Sequence, residues 1–179
     1  MRISTDYENT ADALIALFTE SFTESEGADE GAVINKMVTE MLATVPARDM
    51  FVFSAWEGET LLGAIIFSRM QFEEDDRTVF ILSPVAVAPA HQRKGVGQYM
   101  LRHGLDVLRD AGVDIALTYG NPNYYDKVGF AQITPEQAAP PQVLKYPFGW
   151  LGQPLTSAEF APLKGPSSCV DALNKPEYW

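Results

Sequence analysis

The sequence predicts an α/β domain built around a mixed β-sheet, and three observations lead there. At 179 residues, 46% of them hydrophobic, the chain is long enough for one compact domain with a sizeable core. The stretch "TVFILSPVAVAP", a glycine-containing turn, an amphipathic helical pattern and then "VDIALTYG" make a strand–helix–strand unit. Such a unit implies a parallel pair joined by a right-handed crossover. Upstream, "FVFSAWEGETLLGAIIFSRM" reads as two strands joined by a turn around Glu57, Gly58 and Glu59.

In chain order, "RIST" predicts a short edge strand. A helix follows, with Thr10 as its N-cap and Leu14, Ile15, Leu17, Phe18 and Phe22 on one apolar face. "TESEGADE" breaks that pattern with charge and a glycine. A second helix is expected over 28–45, where Val33, Ile34, Met37, Val38, Met41, Leu42 and Val45 recur every three to four residues. Met37 and Met41 read as core filler. After the two strands, "EEDDR" reads as a solvated hairpin tip. The following strand contains Pro84, which donates no ladder hydrogen bond, so it belongs at an edge or where the neighbouring strand has peeled away.

A third helix is expected over 97–111, with Met100, Leu101, Leu105, Val107 and Leu108 inward and Gly112 ending it. "NPNYYDKVGF" predicts a short helix opened by Asn121 and Pro122 and ended by Gly129. Residues 131–179 are rich in proline and glycine. There, Thr134 to Gln137 looks like a capping box, "GWLGQPL" gives a final strand, and the rest forms an ordered arm packed on the same single domain, 1–179.

The formal net charge of −11 argues against nucleic acid or an anionic membrane as the partner. No apolar run is long enough to span a bilayer. The one cysteine, Cys169, excludes an internal disulfide and suits a reducing compartment, so a soluble cytoplasmic protein is expected. His91 and His103 have no partner at ligand spacing, and no metal is expected.

The six residues Gln92, Arg93, Lys94, Gly95, Val96 and Gly97 join the motif strand to the third helix. A strand–turn–helix junction of this kind aims free backbone N–H groups at one point, and the helix dipole adds positive potential. The glycines let a ligand approach the backbone, and Arg93 and Lys94 add full charges. On these residues alone two readings stand: a pyrophosphate cradle, or a glycine-eased turn with two solvated cations. The P-loop and dinucleotide patterns are both absent.

The turn matches Q-x-x-G-x-G, preceded by "LSPVAVAPAH" and followed at the expected distance by "YYDKVGF". This combination resembles the GNAT superfamily of N-acetyltransferases, in particular its YhbS-like branch. The resemblance covers most of the chain. It implies a central mixed sheet with a splayed parallel pair, helices on both faces, and acetyl-CoA as co-substrate. Its pyrophosphate would sit on residues 92–97 and its pantetheine arm would pair with backbone groups around Val85 and Val87. Asn121 is implied as a further cofactor contact, although the segment from Asn121 to Tyr124 is shorter than the family's usual N-x-x-A-x-x-F-Y spacing.

The implied reaction is direct attack of a neutral amine on the acetyl thioester in a ternary complex. Tyr125 matches the family's general acid, with Tyr124 as the alternative. A backbone N–H near Val85 is placed to stabilise the oxyanion. Glu24, Glu26, Asp29 and Glu30 lie in or beside the loop joining the first two helices, and Glu26 is the favoured base. The acceptor is a small-molecule or protein amine, and the protein a monomer or homodimer. A non-catalytic acyl-CoA-binding or sensing module is the alternative, and a nucleotide-binding protein a third reading.

Overall fold

The computed structural model of the protein describes residues 1–179. It contains four α-helices: α1 (Ala11–Glu26), α2 (Ala28–Thr44), α3 (Val96–Asp110) and α4 (Pro122–Tyr125). Eight strands accompany them: β1 (Arg2–Ser4), β2 (Met50–Glu57), β3 (Thr60–Phe72), β4 (Asp75–Val87), β5 (Ile115–Tyr119), β6 (Ala131–Gln132), β7 (Trp150–Pro154) and β8 (Ser167–Cys169). They form one mixed sheet in the order β1-β2-β3-β4-β5-β7-β6, with β8 paired to β3. The chain divides into two compact units, Met1–Phe67 with Pro84–His103, and Ser68–Ser83 with Gly104–Trp179.

In the first unit the edge strand expected from "RIST" is present, and β1 pairs antiparallel with β2 from Arg2–Trp56 to Ser4–Ser54. Leu14, Phe18, Met37, Val38, Met41, Phe53, Ile65, Ile66 and Phe67 are buried, so both methionines are core filler as expected. Thr10 precedes α1 but its side chain does not cap it; the hydroxyl instead donates to the Asp6 carbonyl. The boundary between the first two helices differs from the expected loop. α1 runs on through Glu26, and Gly27 alone separates it from α2. Gly27 has φ 102°, which lets the chain reverse in one residue. The negative stretch is therefore two helix ends, with Glu24 and Glu26 closing α1 and Asp29 and Glu30 opening α2.

In the second unit β4 and β5 run parallel, in register from Val79–Ile115 to Leu82–Thr118. β4 continues to Val87 beyond that register, and Pro84 falls in the continuation, where a missing donor breaks no ladder bond with β5. β7 pairs antiparallel with β5 and β6. The segment 131–179 thus supplies three strands where the sequence suggested one, because β8 also pairs with Met70–Phe72 of β3. Its capping box forms in half: the Gln137 side chain accepts the Thr134 N–H at 2.9 Å.

The packed arm is held by polar contacts that correct the picture of a solvated "EEDDR" tip. Asp75 begins β4, its side chain is only 7% exposed, and it pairs with Arg77 at 2.7 Å. Arg77 also donates to the carbonyls of Ala161 and Pro162, at 2.8 and 2.7 Å, while Lys164 N–H donates to Asp75. The Arg77 hydrogen bond holds the Asp75 carboxyl at a pKa of about 2. At the far end Trp179 is buried, stacks on Tyr119 at 6.1 Å and donates its indole N–H to the Leu173 carbonyl.

Candidate functional site

The expected cofactor turn lies wholly in the first unit. After β4, Ala88 N–H returns to the Leu62 carbonyl at 2.8 Å, and a 3₁₀ turn (Pro89–His91) leads into residues 92–95. Two residues here are left-handed, Arg93 at φ 60° and Gly95 at φ 83°. Arg93 has no glycine's freedom, and a non-glycine residue there is uncommon enough to mark a site where backbone strain is retained. Gln92 is extended, so the chain alternates conformation sharply through this turn, and turns of this kind aim successive N–H groups to a common side, as anion-binding concavities do.

Helix α3 adds donors to that concavity. The first bond reaching back from it is Tyr99 N–H to Gly95 O, so the N–H groups of Val96, Gly97 and Gln98 have no acceptor within the helix. A Cβ built on Gly95 would meet no atom within 4 Å, so the space over the turn is open. The Arg93 and Lys94 side chains are both exposed; the Lys94 ammonium donates to the Ala90 carbonyl at 2.8 Å, whereas the Arg93 guanidinium enters none of the chain's hydrogen bonds. Open backbone donors, a helix N-terminus and an uncommitted cation fit a pyrophosphate.

Gln92 points elsewhere. Its Nε2 donates to the Val87 carbonyl at 3.2 Å, and the Ser21 hydroxyl of α1 donates to the same oxygen at 3.3 Å. Val87 therefore carries two side chains on its carbonyl, and Gln92 shapes the turn from inside. Val85 and Val87 are half-buried, alternating with buried Pro84 and Ala86, as a strand's period of two requires. The Ser21 contact also orders the acidic residues of α1. Glu24 follows Ser21 by three residues and shares its helix face, whereas Glu26 lies about 140° around the axis. No basic residue offsets these carboxylates in the last turn of α1, at the negative end of the helix dipole.

The second unit holds the tyrosines. Asn121 caps α4, its side-chain oxygen accepting Asn123 N–H at 3.0 Å, and Pro122 occupies the first helical position. Asn121 and Pro122 thus open the short helix as the sequence suggested. Tyr125 packs edge-on against Tyr124 at 5.0 Å and Phe130 at 5.8 Å. Its ring also rests on Gly120, where a Cβ would lie 2.8 Å from Cε2, so only glycine admits it. Burial raises the Tyr125 phenol pKa well above the usual tyrosine range; Tyr124 adds to the shift and the neighbouring Thr118 hydroxyl opposes it. Burial also raises Tyr124.

Sequence reasoning missed Thr118. It is fully buried at the last position where β5 pairs with β4, and its hydroxyl donates to the Leu82 carbonyl at 3.0 Å. A buried threonine inside "IALTYG" was a usable signal, since a hydroxyl in an apolar strand must find a partner. Cys169 lies half-buried in β8, with burial pushing its thiol up to about 12. His103 is exposed and stands edge-on to Phe53. No three His, Cys, Asp or Glu side chains come together, and no helix is long and apolar enough to cross a membrane.

Comparison with known proteins agrees with this layout. The family model described as acetyltransferase (GNAT) family matches residues 11–130. The Escherichia coli (strain K12) protein named uncharacterized N-acetyltransferase YjhQ is 30% identical over 159 residues, spanning 86% of this chain and 83% of that one. A GNAT family acetyltransferase from Brucella melitensis, solved in complex with acetyl-CoA, aligns over 96% of this chain and 97% of its own, with a TM-score of 0.69 and 22% identity. Escherichia coli YhbS, a GNAT family N-acetyltransferase solved with CoA, aligns over 97% of this chain and 92% of its own, with a TM-score of 0.75 and 19% identity. The two structures speak to the fold, and the family match covers most of the sequence, the turn and the tyrosine segment included. The chain belongs to the GNAT acetyltransferase family.

Proposed function

We propose that the protein transfers the acetyl group of acetyl-CoA to a primary amine of a small molecule or protein by direct attack in a ternary complex. The observation that carries this reading is the turn at 92–97, with Arg93 and Gly95 left-handed and the first N–H groups of α3 without helical acceptors. That the Brucella melitensis and YhbS relatives were solved with acetyl-CoA and CoA supports the choice of ligand.

Bound acetyl-CoA supplies a thioester whose C–S bond breaks as the acceptor nitrogen bonds to the carbonyl carbon. Overall an ammonium and acetyl-CoA give an amide, CoA thiol and one released proton. The backbone N–H groups of Val96 and Gly97, with Arg93 and Lys94, hold the pyrophosphate. Backbone groups at Val85 and Val87 receive the pantetheine arm, and the Val85 N–H donates to the carbonyl oxygen as it gains charge. Glu26 and Glu24 draw the cationic amine and accept its proton, directly or through water. Tyr125 gives its proton to the departing thiolate. A phenol whose pKa burial has raised stays protonated at neutral pH, as a general acid must.

The test is calorimetric titration with CoA together with acetyl-CoA consumption over a panel of amines. Tight CoA binding with turnover of at least one amine is expected. Binding without turnover of any amine would make the protein a non-catalytic acyl-CoA module, and no binding at all would remove the reading.

A further inference from the structure

The Ser21 hydroxyl does not behave as helical hydroxyls do elsewhere in the first unit. Thr19 and Thr44 bond back to the carbonyls of Ile15 and Glu40 on their own helices, each at 2.7 Å. Ser21 instead donates across 66 residues of sequence to the Val87 carbonyl. It is the one buried polar residue of α1, 5% exposed. The Gln92 amide donates to the same oxygen from the turn. A carbonyl oxygen has two lone pairs, and both of those on Val87 are taken.

The direction of that carbonyl decides what the two bonds do. Ala88 N–H bonds the Leu62 carbonyl of β3 at 2.8 Å. A trans peptide sets its C=O opposite its N–H, so the Val87 carbonyl leaves β4 on the side away from β3. A ligand arm adding there as a further strand would ordinarily exchange both an N–H and a C=O bond with one residue. Val87 can offer only its N–H, because releasing Ser21 would strand a buried donor. We infer that Ser21 is a positioning residue for the cofactor. With Gln92 it keeps the Val87 carbonyl filled, so the pantetheine arm accepts from Val87 but does not donate to it. The arm is thereby confined to the register that brings the thioester to Val85. The inference rests on the cofactor placement proposed above. With that carbonyl open, Val85 and Val87 would offer like rungs, and the arm could slip by one strand repeat, about 6.6 Å, carrying the thioester away from the Val85 N–H.

The experiment titrates CoA into isotope-labelled parent and Ser21→Ala protein and follows the Val87 carbonyl carbon by NMR, through its correlation with the Ala88 amide. Such a carbon moves downfield as its oxygen accepts hydrogen bonds. Alanine suits a helix and the Gln92 bond persists, so the variant strands no group and keeps its fold. In the parent, CoA should shift the Val96 and Gly97 amides and leave the Val87 carbonyl in place. In Ser21→Ala that carbonyl should start upfield and return downfield as CoA binds, because the arm now donates to the freed lone pair. With an amine that turns over, the variant should lose at least about fivefold in kcat while KM for acetyl-CoA rises less than about twofold, as a misplaced ligand requires. A merely structural serine would produce neither the carbonyl response nor this split. A downfield Val87 shift when CoA binds the parent, no response in the variant, or parent-like kcat in the variant would each overturn the inference. If no amine turns over, the two carbonyl responses decide. CoA that moves neither the Val96 nor the Gly97 amide would overturn the cofactor placement itself, and this inference with it.

Discussion

Replacing Tyr125 by phenylalanine takes away one hydroxyl and keeps the ring. The contacts with Tyr124, Phe130 and Gly120 are made by that ring and persist. Thr118 keeps its bond to the Leu82 carbonyl at 3.0 Å, so the change strands no buried donor. The stability loss should therefore be that of one modest hydrogen bond, about 1 kcal/mol, and Tm should fall by about 2–4 °C. The effect on rate should be much larger. General acid catalysis contributes roughly 10²–10⁴-fold, and 100-fold corresponds to about 2.7 kcal/mol of barrier. The phenol pKa is raised from its ordinary value of 10.0, so the group stays protonated below that, and kcat in the parent should show no basic limb from Tyr125 up to about pH 10. The assay follows thiol release at saturating acetyl-CoA, with Tyr124→Phe as control and CoA affinity measured in parallel. If Tyr125→Phe keeps kcat within about threefold of the parent, the buried phenol is not the proton donor and the reasoning fails.

Three further outcomes follow from the same geometry. Gly95→Asp should weaken CoA binding at least about tenfold, or about 1.4 kcal/mol, whereas Gly95→Asn, which tolerates the left-handed backbone, should lose much less; equal calorimetric affinities would refute a pyrophosphate at this turn. Asp75→Asn should lower stability by about 1–3 kcal/mol in urea unfolding, because it unpairs a partly buried Arg77. The Asp75 pKa is depressed to about 2, so its contribution is complete above the ordinary value of 3.8 and fades as pH falls toward 2; a parent–variant difference as large at pH 2 as at pH 7 would contradict this. Cys169→Ser should leave turnover unchanged, and the parent thiol, pushed up to about 12, should alkylate slowly at pH 8; acetyl label trapped on Cys169 would overturn direct transfer.

What the sequence made legible was whatever is written in short range. The 3.6-residue period of α1, α2 and α3 was plain, and so were the two-residue turn at Gly58, the glycines of the motif turn and the stop at Gly129. Pro84 even pointed to the place where β4 outruns its neighbour. The missed strands, β6 and β8, are two and three residues long, less than the run over which alternation becomes visible. Their existence depends on partners far along the chain. α1 ends later than its charge pattern suggests, because glutamate is a good helix former and only Gly27 stops the helix. At the site, the left-handed Arg93 and the engaged carbonyl of Val87 were invisible, since both come from tertiary packing around a turn whose residue types fit several conformations. Thr118 was hidden by its own neighbours, an apolar run in which one hydroxyl looked incidental.

The single residue between α1 and α2 leaves that helical pair without slack. A longer connection could lengthen, shorten or refold and so change the surface it presents; Gly27 can do none of these while keeping φ near 102°. Remodelling of this edge that keeps the tight link proceeds by exchanging side chains on the two helix ends. Variation among natural relatives at this edge should then appear as point substitutions at 24–30 in a chain of constant length.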